Sequence, residues 1–472
     1  MARKAKFFKV EAVPYWALVT FLVLTFLTGG GSRPDIQSLI ILRPAAVIFC
    51  GIGLWSLKWE HVNANRFLFG LVTAIFVLVG AHLVPLPPSI WGALPGREII
   101  TEIDKVAELG EVWRPIAMVP SAAWNAFYSL FVPLAVLLLG VQLRREERFG
   151  LLPWLLGLGL LSGFLGLLQS IGDPQGSLYL YEVTNNGSAV GLFSNRNHQA
   201  ILLATLFPML AVYACSGVQS EEQAKVRSYV ALAAGVVLVP LLLVTGSRAG
   251  LIVGTVGLIS ITLLYRKPNI TVPKKRKGNK LDLRWPLGAF GVLCLGTLTI
   301  LMSRAEALQR LTATNQAEDL RFQAWPAIAD MAWKYFPVGS GVGSFIEVFQ
   351  IDEPYELLIP TYFNHAHNDW LEIYMTLGLP GLLVLTAAVV AIIRAAWAAF
   401  RVKASEDVSY ARLSAVVIAI LALGSIGDYP LRTPSLACLL VVAALWLADA
   451  RGSLPKSSGN IGHSKLDTVD LV

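Results

Sequence analysis

YVALAAGVVLVPLLLVTGSRAGLIVGTVGLISITLLY, Tyr229–Tyr265, holds a single charged residue, Arg248, near its middle. On either side lie apolar blocks at 229–245 and 249–265, each close to the roughly 20 residues needed to cross a bilayer. The short run Thr245–Gly250 (TGSRAG) separates them. In lipid every backbone polar group must find a partner within the structure, so such blocks are helices. The alternating apolar–polar segments of a membrane barrel are absent from the sequence.

The same reading extends outward in both directions. Apolar blocks at 13–29, 38–57, 67–86, 123–143, 150–171, 199–216, 285–302, 379–399, 410–427 and 434–449 bring the total to about twelve transmembrane helices. Composition agrees: 55% of residues are hydrophobic and only 15% charged, against about a quarter charged in soluble chains. The expected fold class is an all-α polytopic membrane protein, one domain over 1–472. The basic start MARKAKFFK leads into an apolar run longer than a signal-peptide core. It ends in Gly29-Gly30-Gly31 without a small-residue cleavage site, so it reads as an uncleaved anchor. Cys50, Cys215, Cys294 and Cys438 all fall in or beside the blocks, the pattern of small packing residues rather than of disulfides.

Orientation follows from the basic residues. With both termini on the cytoplasmic side, most of the 38 lysines and arginines fall in cytoplasmic segments. KKRKGNK at Lys274–Lys280 is then an anchor against anionic lipid. The net charge of +7 reports membrane orientation, not nucleic-acid binding. The basic residues left outside are nearly all arginine, whose planar fork suits phosphate or carboxylate. Three outer segments are long: Pro85–Ala122, Gly172–His198 and Ser303–Leu377. The last, the large periplasmic loop 303–377, carries the amphipathic run Asp319–Phe336 and a glycine turn at Val338–Phe345. The tail 451–472 is polar and expected to be disordered in the cytoplasm.

The most informative run is His365-Ala366-His367-Asn368-Asp369. Extended, His365, His367 and Asp369 would share one face, a spacing seen in metal sites. In a helix, His365 and Asp369 pair and His367 turns away. The apolar spacing of the following WLEIYMTLG favours the helix, with His367 as a catalytic or substrate-binding group. Arg248 and Arg432 occupy short outer turns, and Arg196 and His198 stand where the sixth span begins. Ionisable groups at the membrane surface, gathered beside a histidine, mark a site. Contact with lipid phosphate remains the alternative for any one of these arginines, and an ion pair for an arginine of the acidic loop 303–377.

These motifs resemble the O-antigen ligase family, which includes O-antigen polymerases and some protein O-oligosaccharyltransferases. The family pattern of His-Asn, nine residues, Gly, two residues and Gly reads here as His367-Asn368, Gly378 and Gly381. Gly191–Asn197 (GLFSNRN), Ser247–Gly250 (SRAG), Arg321 with Trp325, and Asp428–Arg432 (DYPLR) are similar too. The resemblance covers Pro85 to the last span. It implies a membrane-embedded C-type glycosyltransferase in the bacterial inner membrane. Its donor would be a glycan on undecaprenyl diphosphate, and its acceptor lipid A–core (a ligase) or another lipid-linked glycan (a polymerase).

The residues suit that chemistry. His367 can take the proton of an acceptor hydroxyl. Arg248 and Arg321 can stabilise the charge on a departing diphosphate, with Arg196 and Arg432 next. Asn197, His198, Asn368 and Asp369 are expected to line the substrate site. No Asp-x-Asp occurs in the outer loops, so a metal-independent, inverting transfer without a cofactor is expected. A twelve-span transporter is the rival of another class. Its internal repeats and mid-membrane charges are not evident in the sequence.

Overall fold

The computed structural model describes residues 12–266, 316–358, 362–403 and 405–449. The basic run Lys274–Lys280, the expected span 285–302 and the tail 451–472 lie outside them, as do Arg304 and Arg310 of the large loop.

The α-helices of the described residues are numbered in chain order. They are α1 Ala12–Thr28, α2 Leu39–Ser56, α3 Trp59–Ala64, α4 Arg66–Ala81, α5 Pro88–Trp91, α6 Glu98–Val106, α7 Pro120–Ser129, α8 Phe131–Gly140 and α9 Arg145–Phe149. Then come α10 Leu152–Ile171, α11 Arg196–Cys215, α12 Glu221–Val244, α13 Arg248–Leu264, α14 Gln316–Lys334, α15 Phe345–Ile351, α16 Asp369–Arg401, α17 Glu406–Gly427 and α18 Pro434–Asp449. Among the described residues seven helical segments are long and apolar enough to cross a membrane, and four shorter apolar helices accompany them. The chain is an all-α polytopic membrane protein. Every expected span within the described residues falls on a helix, or on two set end to end, as with α7 and α8 over 123–143.

Helix α11 is the axis of the bundle. It packs against α10, α12, α13 and α17, and its side chains from Asn197 to Val212 are buried. A helix surrounded on all sides needs no polar stripe, which is why α11 reads as uniformly apolar after its first turn. Helix α13 approaches it closely: a Cβ on Gly250 would meet Ala200 Cβ at 2.3 Å, and one on Gly257 would meet the Ala204 carbonyl at 2.5 Å. Small residues at such a crossing let two spans touch along their backbones. The starts of α11 and α13 are thereby brought side by side.

Boundaries differ from expectation at two places. The third span ends at Ala81 rather than 86, because Pro85–Leu86 pairs antiparallel with Arg114–Pro115. The tenth begins at Asp369 rather than 379, so the large loop ends near Asn368. Helix α16 is broken at Gly378 (φ 56°). A side chain there would be strained, and its Cβ would lie 2.2 Å from the Pro337 carbonyl. The glycine turn at 338–344 packs into this kink, with Gly341 N donating to Thr376 O at 2.9 Å.

A second, smaller core caps this end of the bundle. It is built from α14, α15 and the first turns of α16, around Ile328, Tyr335, Phe349 and Met375. The fully buried Arg97 clamps it to the segment after α4, donating to the carbonyls of Pro95, Ile116 and Gly339. In the second span Arg43 lies one turn inside α2 and donates to Asn125 and Ser129.

Candidate active site

The site is built where α11, α13, α16 and α17 present their ends to one another. Asn368 caps α16, its side-chain oxygen accepting from Leu371 N at 3.1 Å. Cap residues are not helical, so His365–His367 lie ahead of the helix. This corrects the helical reading of His365 and Asp369 as an i,i+4 pair. His367 instead adopts a positive φ of 48°, uncommon for a residue with a side chain. The bend turns its ring against Tyr429, with centroids 4.9 Å apart.

His367 Nδ1 lies 3.3 Å from Asp428 Oδ1. Asp428 is fully buried immediately after α17. Its Oδ1 also accepts from Tyr429 N at 3.0 Å. Its Oδ2 accepts from the side-chain amides of Asn195 (3.1 Å) and Asn197 (2.6 Å). Asn197 in turn accepts from Ser247 Oγ at 2.7 Å, and Ser247 caps α13 by accepting from Gly250 N at 2.8 Å. Four sequence motifs far apart in the chain thus converge on one carboxylate.

That convergence fixes protonation. Burial would raise the Asp428 carboxyl, but the His198 and His367 imidazoles facing it hold it well below the usual carboxylate range. Burial, reinforced by the Arg321 charge and opposed by Asp428, pushes His367 down to about 4. A neutral imidazole beside an ionised carboxylate donates from Nδ1 and keeps its Nε2 lone pair.

A second cluster fastens the loop. Arg432 Nε donates to Asp369 Oδ1 at 2.9 Å, and its Nη2 stands 3.1 Å from Glu372 Oε1. Glu372 also pairs with His365 Nδ1 at 3.1 Å and accepts from Ala366 N at 2.9 Å. Both carboxylates are buried. Removing one partner of a buried charge group costs about 3–5 kcal/mol. Arg432→Ala is therefore expected to destabilise the protein by about that amount, read as a large fall in the thermal unfolding midpoint in detergent. An unchanged midpoint would show that Arg432 does not hold the loop.

His367 and Arg321 line the same cavity, of about 420 Å³, together with Arg33, Asn185, Asn195 and Asn364. Arg321 makes no hydrogen bond or ion pair with another described residue, in contrast to Arg432. Arg248 and Arg196 do not line this cavity. They open α13 and α11, Arg196 N donating to Asn185 Oδ1 at 3.0 Å. Asn197, His198 and Asp369 are buried and do not line the cavity. His198 Nε2 faces Asp428 Oδ1 at 3.6 Å, beyond hydrogen-bond reach, and its ring meets Tyr429 edge-on. Asn368 and Trp370 look the other way, into an apolar groove of about 680 Å³ shared with Phe322, Trp325 and Leu382.

Asp428 was not singled out from the sequence, nor were Tyr429, Asn195 and Arg33. The available signal was an acid directly following an apolar span, at a depth where a charge needs a reason.

No curated protein matches the chain. Residues 233–386, from within α12 to the first half of α16, match a family model described as O-antigen ligase. They include Arg248, Arg321, His367 and the Gly378 kink but not Asp428. The central third of this polytopic membrane protein is thus similar to the O-antigen ligase family, which supports a role in O-antigen or related polysaccharide biosynthesis.

Proposed function

We propose that the protein transfers a glycan from undecaprenyl diphosphate to an acceptor hydroxyl, in the cavity bounded by His367 and Arg321. The carrying observation is the His367–Asp428 pair, a base and its orienting carboxylate, in reach of a cavity that also holds Arg321, which is paired with no other described residue. The acceptor O–H gives its proton to His367 Nε2 as its oxygen attacks the anomeric carbon. The bond from that carbon to the diphosphate breaks, and its electron pair leaves on the diphosphate oxygen. Arg321 meets the charge that develops there. Direct displacement inverts the anomeric centre. The guanidinium takes the part that a divalent ion plays in metal-dependent transferases, so transfer is expected to persist in EDTA.

The apolar groove beside Asn368 supports a lipid-linked donor. It runs along α16 to Leu382, while its other wall carries Phe322, the neighbour of Arg321. An isoprenoid chain lying there would bring its diphosphate toward the cavity. Arg248 and Arg196, which do not line the cavity, are read as supports of its wall. Asn197 and Asp369 are read the same way.

The cavity is assigned to the periplasmic side of the inner membrane, with both termini cytoplasmic. Lys58, Arg66, Arg144, Arg145, Arg227, Arg266 and Arg401 cluster at the opposite ends of the helices, which supports this by the positive-inside rule.

The test is in vitro transfer by the purified full chain from a lipid-diphosphate glycan, with lipid A–core in one reaction and no second lipid in the other. Product on lipid A–core supports a ligase, and elongated lipid-linked chains support a polymerase. Failure of both with an intact donor would overturn the proposal.

The pH profile is a further check. Only neutral His367 can act as a base, and its imidazole titrates near 4 rather than 6.5. Activity should rise as pH passes through about 4 and stay level across the physiological range. A half-maximal rate near the ordinary histidine value would contradict a buried base.

A further inference from the structure

The far end of the bundle carries a groove of about 530 Å³ that the transfer chemistry does not use. Its rim is arginine: Arg66 opens α4, Arg144 precedes α9, and Arg145 and Arg148 lie on α9. Asp449 is the single carboxylate in its lining. Below the rim the walls are apolar and come from three spans, through Phe67 of α4, Ile392 of α16 and Leu447 of α18.

The charges around it are unequal in their commitments. Arg148 is buried, paired with Asp449 at 2.5 Å and donating to the carbonyls of Gly140 and Val141. Arg144 pairs with Glu147 at 2.7 Å, and Arg145 with Asp407 at 2.9 Å, carboxylates outside the groove lining. Arg66 is exposed and makes no ion pair with another described residue. Among the described residues Arg66 therefore leaves one positive charge unbalanced at the mouth of an apolar slot between spans.

We infer that this groove binds an anionic glycerophospholipid, its phosphodiester on the arginine rim and its acyl chains between α4, α16 and α18. Charge complementarity selects the occupant. Basic pockets between spans recognise anionic head groups, and the guanidinium fork matches phosphate oxygens. A soluble anion would satisfy the rim but leave the apolar walls open, so the lipid is favoured over free phosphate. The site is independent of the cavity at the other end.

The test is native mass spectrometry of the full chain exchanged into micelles carrying phosphatidylglycerol or phosphatidylcholine. Phosphatidylglycerol should be retained in preference, and millimolar inorganic phosphate should not displace it. Arg66→Gln, at an exposed position, should weaken retention on the order of fivefold, and Arg66→Glu more than that. Thermal unfolding in lipid-free detergent separates lost binding from lost folding: the variants should melt like the parent there, yet gain less from added phosphatidylglycerol. Equal retention of the two lipids, displacement by phosphate, or a variant that holds lipid as the parent does would overturn the inference.

Discussion

Asp428→Asn is expected to lower glycan transfer by about 10²–10⁴-fold, the contribution of a positioned general base. The substitution keeps size and shape, so the loss must come from protonation. Asp428 Oδ2 receives two side-chain amides, from Asn195 and Asn197. In the variant the single carbonyl oxygen is held on that side, because an NH₂ there would face two side-chain donors, against one backbone donor, Tyr429 N, on the other. The variant's own NH₂ then faces His367 Nδ1. That nitrogen is now asked to accept, which moves the ring proton to Nε2 and removes the lone pair that takes the acceptor's proton. His367→Ala should lose as much, and the double variant little more, since the two act as one unit. The measurement is the initial rate of transfer from lipid-diphosphate glycan, with thermal unfolding as a folding control. A folded Asp428→Asn protein within tenfold of the parent rate would remove Asp428 from the mechanism.

The difference between what could be read along the chain and what could not lies in the range of the interactions. A span is a local property. Roughly twenty apolar residues in a row must be a helix in lipid wherever the rest of the chain lies. The helices around 229–245 and 249–265 were legible for that reason. The alternation of spans likewise puts the arginines and histidines at one end of the helices, where α11, α13 and α16 begin and α17 ends.

The hub at Asp428 is a property of packing. Its partners Asn195 and Asn197 are more than 230 positions away in sequence, and only the close contact of α11 with α13 and α17 brings them together. The arginines show the same limit. Arg321 and Arg432 look alike in sequence, yet one lies open to a cavity and the other is held between two buried carboxylates. The run at His365–Asp369 was misread as helical because the apolar spacing after it is genuine. Asn368 ends that pattern by capping α16, a local event whose signal was weaker than the helix that follows.

Arg321→Lys is the second large effect, an expected loss of about 10²–10³-fold in kcat, the scale for removing one preorganised donor to a developing oxyanion. Lysine preserves the charge, so long-range attraction of the diphosphate should survive and KM should change little. What is lost is the planar fork, which holds two oxygens at once. That geometry matters most as the anomeric bond breaks and negative charge concentrates on the leaving oxygen. Arg432→Lys should behave differently. Its partners are protein carboxylates, so its effect should appear first in thermal stability. The pair of variants therefore separates a guanidinium that serves the reaction from one that serves the fold. Comparable kcat values for Arg321→Lys and the parent, at saturating donor and acceptor, would remove the guanidinium from the transition state.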